Sequence, residues 1–345
     1  MLTIHEHQPL APLTTFGIGG PARYFATATT PADLEEAVRW ARERQLPLFI
    51  LGGGSNLLVR DTGFDGLVLN VCIRGIHPRG DGVFAVGAGE PWDAFVQHAV
   101  DHRFAGIECL AGIPGSTGGT PVQNVGAYGQ EVAETIVAVH VFDRNTETFL
   151  TLDNQACRFR YRASRFNTDE PNRYIVHHVD FKLFANGLPN LRYADLQHRF
   201  ANASVPPTLH EVAAAVRDIR RAKGMLLVAE DPDCRSAGSF FKNPIVAPST
   251  IERIAAALDL EASTIPHWPA ANGQIKLPAA WLLERSGFTK GFSDGAAGIS
   301  SRHTLALINR GGASFTDVEG LQNRIIATVA ARFGVTLERE PVLLG

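Results

Sequence analysis

The chain is poor in cysteine and in lysine, and each shortage narrows what it can do. Its four cysteines, Cys72, Cys109, Cys157 and Cys234, are scattered over 345 residues with no CxxC pair. A disulfide framework, a thiolate metal site and a dithiol redox motif are therefore unsupported, and no metal is expected; reduced thiols in a cytoplasmic protein are the simplest reading. No apolar run approaches the roughly 20 residues a membrane helix needs. The N-terminal MLTIHEHQPLAPLTTFG has no basic segment leading into an apolar stretch, so neither a signal peptide nor a membrane partner is expected. A net charge of −3 gives no reason to expect nucleic acid. Of the 32 basic residues only five are lysine, namely Lys182, Lys223, Lys242, Lys276 and Lys290. In so arginine-biased a chain each lysine draws attention, because a compact ammonium does what a planar guanidinium cannot.

What the chain has is an ordered composition, 45% hydrophobic and 19% charged, at a length that exceeds one comfortable core. Three stretches are distinguishable. Residues 1–75 hold a helix that Thr30 caps and Pro31 opens, with Leu34, Ala37, Val38 and Ala41 as its apolar stripe, followed by strands at PLFIL (47–51) and GLVLNV (66–71). Residues 76–205 are strand-rich: VFAVGAG (83–89) runs into a helix starting at Pro91, and further strands are expected at 138–143, 148–152 and 174–184. Residues 206–334 begin with a capping box, Thr208 with Glu211. Ser249 with Glu252 and Thr316 with Glu319 repeat that signature, and Gly334 is placed to end the last helix. The segment 335–345 is expected to join the second stretch as a strand. The class is mixed α and β without clean βαβ alternation.

Two glycine-rich segments interrupt these elements. LGGGSN (51–56) follows a strand directly, as in loops whose backbone amides meet a pyrophosphate. A dinucleotide fingerprint requires a helix next, whereas Leu57-Leu58-Val59 leads into another strand, so a Rossmann crossover is disfavoured. The second segment, AGIPGSTGGTPVQNVGAYG (111–129), is a long loop inside a strand-rich region, which marks function more often than slack. Three further motifs carry polar residues. In CRFRYRASRF (157–166) an extended backbone would put Arg158, Arg160 and Arg162 on one face. In RSAGSFFKNP (235–244) small residues precede two phenylalanines, which suits close approach to a ligand, though Ser239 alone reads as a turn hydroxyl. In LEREPV (337–342) Glu338 and Glu340 would share a strand face, as an exposed charged edge also does.

Taken together, LTTFGIGGPA (13–22), LGGGSNLL (51–58) and the 111–129 segment resemble the FAD-binding segments of the UDP-N-acetylenolpyruvoylglucosamine reductase family, and the likeness runs from Leu13 to Gly345. It implies an α+β fold: a vanillyl-alcohol-oxidase-like FAD-binding fold in two subdomains (1–75 and 76–205 with 335–345), plus a C-terminal substrate-binding α+β domain (206–334). It also implies noncovalent FAD, since GGGSN contains no histidine. The positions that match the family's flavin contacts are Gly53, Gly54, Ser55, Asn56 and Leu57 in the first loop. In the second they are Ile113, Pro114, Gly115, Ser116, Gly118 and Gly119, then Gln123, Asn124, Gly126, Ala127 and Tyr128, with Tyr161 beyond the loop.

The same resemblance implies the chemistry: NADPH reduces the flavin, and the enolpyruvyl ether of UDP-N-acetylglucosamine is then reduced to UDP-N-acetylmuramate, a step in peptidoglycan precursor synthesis. By motif match Arg162 grips the substrate carboxylate, Ser239 is the general acid and Glu340 the catalytic glutamate. Those residue types suit hydride addition to an enolpyruvyl ether. Charge develops toward the carboxylate, where a guanidinium can bind it bidentately, and a held hydroxyl can protonate so basic a carbon. Tyr193, Lys223, Asn243 and Lys276 match substrate contacts, and Trp268 stands where a tyrosine can occur. A tyrosine such as Tyr193 points to the type I branch. The segment 224–238 is longer than the familiar pattern. A monomer is expected. Two other classes remain open on the residues alone, an FAD-dependent oxidase of a small alcohol or sugar and a non-catalytic flavin-binding module.

Overall fold

Each glycine or capping signal in the sequence makes a local prediction, and the computed structural model, which describes residues 2–345, answers most of them. Thr30 is an extended N-cap that accepts from Asp33 and returns a capping box, and helix Pro31–Glu43 follows with Leu34, Ala37, Val38 and Ala41 buried. Thr208 and Glu211 exchange the hydrogen bonds of a second box at 2.7 and 3.2 Å, opening helix Leu209–Ala222. Gly334 ends helix Phe315–Phe333 in the left-handed region, φ +65°, where a side chain is unwelcome.

Two caps differ from the sequence reading. Ser249 has helical φ and ψ of −60° and −15° and makes no capping bond; an N-cap needs extended backbone, so the residue cannot serve. Helix Phe315–Phe333 is capped by Ser314 with Asp317 rather than by Thr316 with Glu319. The reason is remote in sequence. The Asp61 carboxylate accepts from the amides of Phe315 and Thr316 at 2.7 and 3.1 Å and from the Thr316 hydroxyl at 2.9 Å. Thr316 is thereby taken into the first turn, where an acidic partner also suits the helix dipole.

Contacts along the chain divide it into two units, Met1–Gln8, Pro21–Gly54 and Phe64–Ala222 in one, Pro9–Gly20, Ser55–Gly63 and Lys223–Gly345 in the other. The first unit contains parallel strands Pro21–Ala28 and Leu48–Leu51 on either side of Phe64–Val71. Helix Pro31–Glu43 makes the crossover, so one β–α–β step is present although no alternation continues. Its second sheet is antiparallel throughout, in the order Thr148–Asp153, Ile136–Asp143, Tyr174–Lys182, Val83–Gly87, Ile76–Gly80. Helix Trp92–Asp101 buries Trp92, Phe95, Val96 and Ala99. Phe95 meets Phe181 of the sheet with ring centroids 5.1 Å apart. Each such aromatic contributes about 1.5–3 kcal/mol by burial. Helix Leu209–Ala222 packs its Val212 and Val216 into the same core, so this unit runs past residue 205.

The second unit packs helices Thr250–Leu258, Ala279–Arg285 and Phe315–Phe333 around Ile254, Leu282, Leu321, Ile325 and Phe333. Its C-terminal strand Val342–Leu344 pairs in parallel with Leu57–Val59. The segment 335–345 thus departs from the expected pairing with 76–205; its backbone donors and acceptors are taken by the strand that follows the first glycine loop. No helix among the described residues is long and apolar enough to cross a membrane.

Candidate functional site

In the first unit the two glycine segments meet. A Cβ added at Gly53 would lie 2.5 Å from Gly115 Cα, 2.7 Å from Gly115 C and 2.8 Å from Ser116 N, and one at Gly52 would lie 2.7 Å from Ser116 Oγ. Real side chains do not tolerate such distances, so these loops approach as closely as bare backbone allows. Gly115 itself has φ +123°. Its carbonyl accepts from Trp92 N at 3.0 Å, and Thr117 N donates to Glu90 O at 2.8 Å; both bonds tie the second loop to the start of helix Trp92–Asp101. This backbone-lined cradle fits a diphosphate-bearing cofactor, whose anionic oxygens are best met by amides that no Cβ obstructs. Asn124 braces the far side of the loop, donating to Glu131 at 2.8 Å and to the Arg160 carbonyl at 3.1 Å.

The arginine motif does not form a strand. Arg158 closes the short helix Asn154–Cys157 in left-handed conformation, and Arg160 and Ala163 exchange backbone bonds of 2.8 and 3.1 Å around a turn at Tyr161-Arg162. The alternating-face expectation fails because a turn, not an extended run, occupies 160–163. Arg158 and Arg160 both pair with Asp169, at 3.5 and 2.6 Å, and so have a structural role. Arg162 is set apart: its Nη2 donates to the Gly126 carbonyl at 2.9 Å, within the second glycine segment. Its φ of +53° is left-handed, which costs a non-glycine residue roughly 1–2 kcal/mol. Tyr161 lies half exposed beside it, the guanidinium carbon 5.6 Å from the ring centre. Tyr193 meets Tyr128 edge-on at 5.2 Å.

Sequence reasoning missed two residues that hold this loop. Arg220 is almost wholly buried and donates to the Gly112 carbonyl at 3.0 Å. Burial pushes its guanidinium below the ordinary range, while the Tyr128 hydroxyl works against that. Asp93 accepts from Gly112 N at 2.6 Å and from Arg217 at 2.7 Å. The sequence carried one faint signal, two arginines three apart on the helix that leads to Lys223.

In the second unit the segment that follows Ser239 pairs through its backbone with the segment that holds Glu340. Glu340 N donates to Phe240 O at 2.9 Å and Lys242 N to Glu338 O at 3.0 Å, with Phe241 bridged to Arg339. The segment after Ser239 thus lies antiparallel against the glutamate motif. Phe240 and Phe241 are fully buried and anchor it. Asn56 joins the same place, accepting from Val342 N at 3.0 Å with its side-chain amide 3.5 Å from the Glu340 carbonyl. The Thr15 hydroxyl donates to Ser236 O at 2.6 Å and lies 3.4 Å from Ser55 O. Three of the substrate-contact candidates also gather: the sheet Ile245–Val246, Ile275–Lys276, Trp268–Pro269 pairs Trp268 with Lys276, whose Nζ lies 5.9 Å from the indole centre. Asn243, two residues before that sheet, accepts from Ala279 N at 2.9 Å. Lys223 opens the second unit. Gln123, Ser55 and Leu57 keep their places in the two glycine motifs.

Comparison with known proteins accounts for this combination. Residues 22–152 match the profile of an FAD binding domain, and residues 230–344 match that of the UDP-N-acetylenolpyruvoylglucosamine reductase C-terminal domain. The UDP-N-acetylenolpyruvoylglucosamine reductase of Streptomyces coelicolor is 47% identical over 98% of this chain and 89% of its own length. That of Pseudomonas aeruginosa is 40% identical over 99% of both. The crystal structure of the Thermus caldophilus reductase superimposes with a TM-score of 0.70 at 26% identity, covering 100% of both chains. The α+β architecture of a flavin-binding part and a C-terminal part follows, and this chain belongs to the UDP-N-acetylenolpyruvoylglucosamine reductase family.

Proposed function

We propose that this protein is an NADPH-dependent flavoenzyme that reduces the enolpyruvyl ether of UDP-N-acetylglucosamine to UDP-N-acetylmuramate. Bound FAD would supply the hydride, taken from NADPH and given to the terminal carbon of the enolpyruvyl double bond. The glycine segments around Gly53 and Gly115 hold the cofactor through backbone amides. Arg162 binds the substrate carboxylate and stabilises the charge that grows there as the double bond is reduced. Ser239 gives its hydroxyl proton to the neighbouring carbon, so that one hydride and one proton are added and the double bond becomes single. Glu340 holds or polarises the group that Ser239 protonates. Lys223, Lys276 and Asn243 grip the diphosphate and sugar, Trp268 offers an aromatic face, and Tyr193 covers the substrate as in type I relatives.

The observation that best supports this division is the hydrogen-bonded pairing of Phe240–Lys242 with Glu338–Glu340, which keeps Ser239 beside the glutamate motif. We assign flavin binding chiefly to the first unit and substrate binding chiefly to the second, and read the enzyme as a cytoplasmic monomer that engages neither nucleic acid nor membrane. The reading is tested by steady-state turnover. NADPH consumption must depend on the enolpyruvyl nucleotide, and the product must carry two added hydrogens. Rapid oxygen consumption without that nucleotide would instead identify an oxidase, and a purified protein that binds no FAD would identify neither.

A further inference from the structure

The segment 224–238 (GMLLVAEDPDCRSAG) runs from Lys223 to Ser239. Its middle is fastened by one guanidinium. Arg302 donates through Nε to Asp233 Oδ2 at 2.9 Å and pairs through Nη2 with Asp231. Asp233 is buried and also accepts from the Ser301 hydroxyl at 2.7 Å and the Ser301 amide at 3.1 Å. Burial works to raise the Asp233 carboxyl, but the bonds from Ser301 and Arg302 outweigh it and hold it below the ordinary range. Asp233 N donates in turn to Asp231 Oδ1 at 3.0 Å, so both carboxylates are set by one fork.

The fork reaches both ends of the segment. At the start, Gly224 adopts φ +64°, and a Cβ there would lie 3.1 Å from Asp233 Cβ and 3.2 Å from Arg302 Nε. The turn beside Lys223 therefore rests on the Arg302–Asp233 pair. At the end, Cys234 Sγ donates to Leu226 O at 2.8 Å, Asn309 N donates to Arg235 O at 2.9 Å, and Ser236 bridges Ile308. Beyond that point Phe240 N donates to Leu305 O at 2.7 Å. A cavity of about 510 Å³ borders the fork, lined by Asp231, Asp233, Ser301, Arg302, Ile308 and Arg310 among others.

We infer that Arg302 is a positioning residue for the reaction: by gripping Asp231 and Asp233 it fixes the 224–238 segment, and with it Lys223 at one end and Ser239 at the other. The inference rests on the reading of Lys223 as a substrate grip and Ser239 as the proton donor. A planar fork that spans two carboxylates is a task for arginine and not for lysine.

The test uses the FAD-loaded enzyme under anaerobic conditions, first bleached with NADPH and then mixed with the enolpyruvyl nucleotide. Arg302→Gln is expected to leave the bleaching rate unchanged while slowing the return of colour roughly 10- to 100-fold, the loss expected for groups misplaced by about an ångström. The KM for the nucleotide should rise, and the KM for NADPH should not. Arg302→Lys should fall between the two enzymes. Should Arg302→Gln fold poorly, Asp231→Asn removes only the outer carboxylate and should slow the same phase to a smaller extent. Equal slowing of both phases, or no change in the second, overturns the inference. If Ser239→Ala also left the second phase normal, the underlying reading would fail too; if Ser239→Ala blocked it and Arg302→Gln did not, the positioning role alone would be wrong.

Discussion

Gly53 offers a sharp quantitative test of the cradle. Its φ lies outside the left-handed region, so alanine there meets no backbone strain, and the whole effect is steric. The added methyl would sit 2.5–2.8 Å from three backbone atoms of Gly115 and Ser116. Backbone cannot rotate away as a side-chain tip can, so the two loops must part. Overpacking of this kind costs about 1–3 kcal/mol, or a factor of roughly 5 to 150. Because the loops are proposed to hold the cofactor at their point of contact, that loss should appear in FAD affinity. Apoprotein titrated with FAD, followed by flavin fluorescence, reads it directly. Gly320→Ala is the control, since a Cβ there meets nothing within 4 Å in the middle of helix Phe315–Phe333. It should raise stability by roughly 0.5–1 kcal/mol and leave FAD affinity alone. A Gly53→Ala protein that binds FAD as tightly as its parent would refute the argument.

Two further substitutions probe the first unit. Glu108 is fully buried and accepts from Gly106 N at 2.7 Å, Asn190 N at 2.8 Å and Gln130 Nε2 at 2.9 Å. Glu108→Gln turns an amide donor toward one of those donors and should lower stability by about 1–3 kcal/mol in urea unfolding; it should also raise the KM for the nucleotide, since Asn190 fixes Arg192 N at 2.8 Å beside Tyr193. His177 sits at a bulge opposite His140, its Nδ1 2.8 Å from that of His178 and its ring 5.2 Å from Phe149. Burial, then His178 and His140, push its pKa down to about 4 from the ordinary 6.5. The unfolded chain therefore binds the extra proton between those values, so this residue's contribution to stability falls as pH drops through that window and levels off below it. His177→Phe should lose less stability than the parent between about pH 7 and pH 5, and parallel urea midpoints in the two proteins would contradict this.

The sequence was most legible where one segment carries its own instruction. The glycine segments, the Thr208–Glu211 box and the apolar stripe of helix Pro31–Glu43 are local, and each is present. It was least legible where a distant partner decides. The true start of helix Phe315–Phe333 depends on Asp61, far away in the chain. The three-residue strand Val342–Leu344 is too short for its pattern to name Leu57–Val59 as its neighbour. The arginine motif misled for another reason: alternation suggests a strand, but the hydrogen bonds between Arg160 and Ala163 form a turn. That turn separates Arg162 from the two arginines held by Asp169. The fork at Arg302 was hidden because its carboxylates lie about seventy residues earlier in the chain.

The most direct measurement follows the flavin through one anaerobic cycle in the parent and in Ser239→Ala. Both should bleach at the same rate with NADPH. On addition of the enolpyruvyl nucleotide the parent should regain its yellow colour, and the variant should do so roughly 10²- to 10⁴-fold more slowly, the usual cost of removing a general acid. Colour that returns equally fast in both, or bleaching impaired to the same degree as the return, would contradict the assignment of the proton to Ser239.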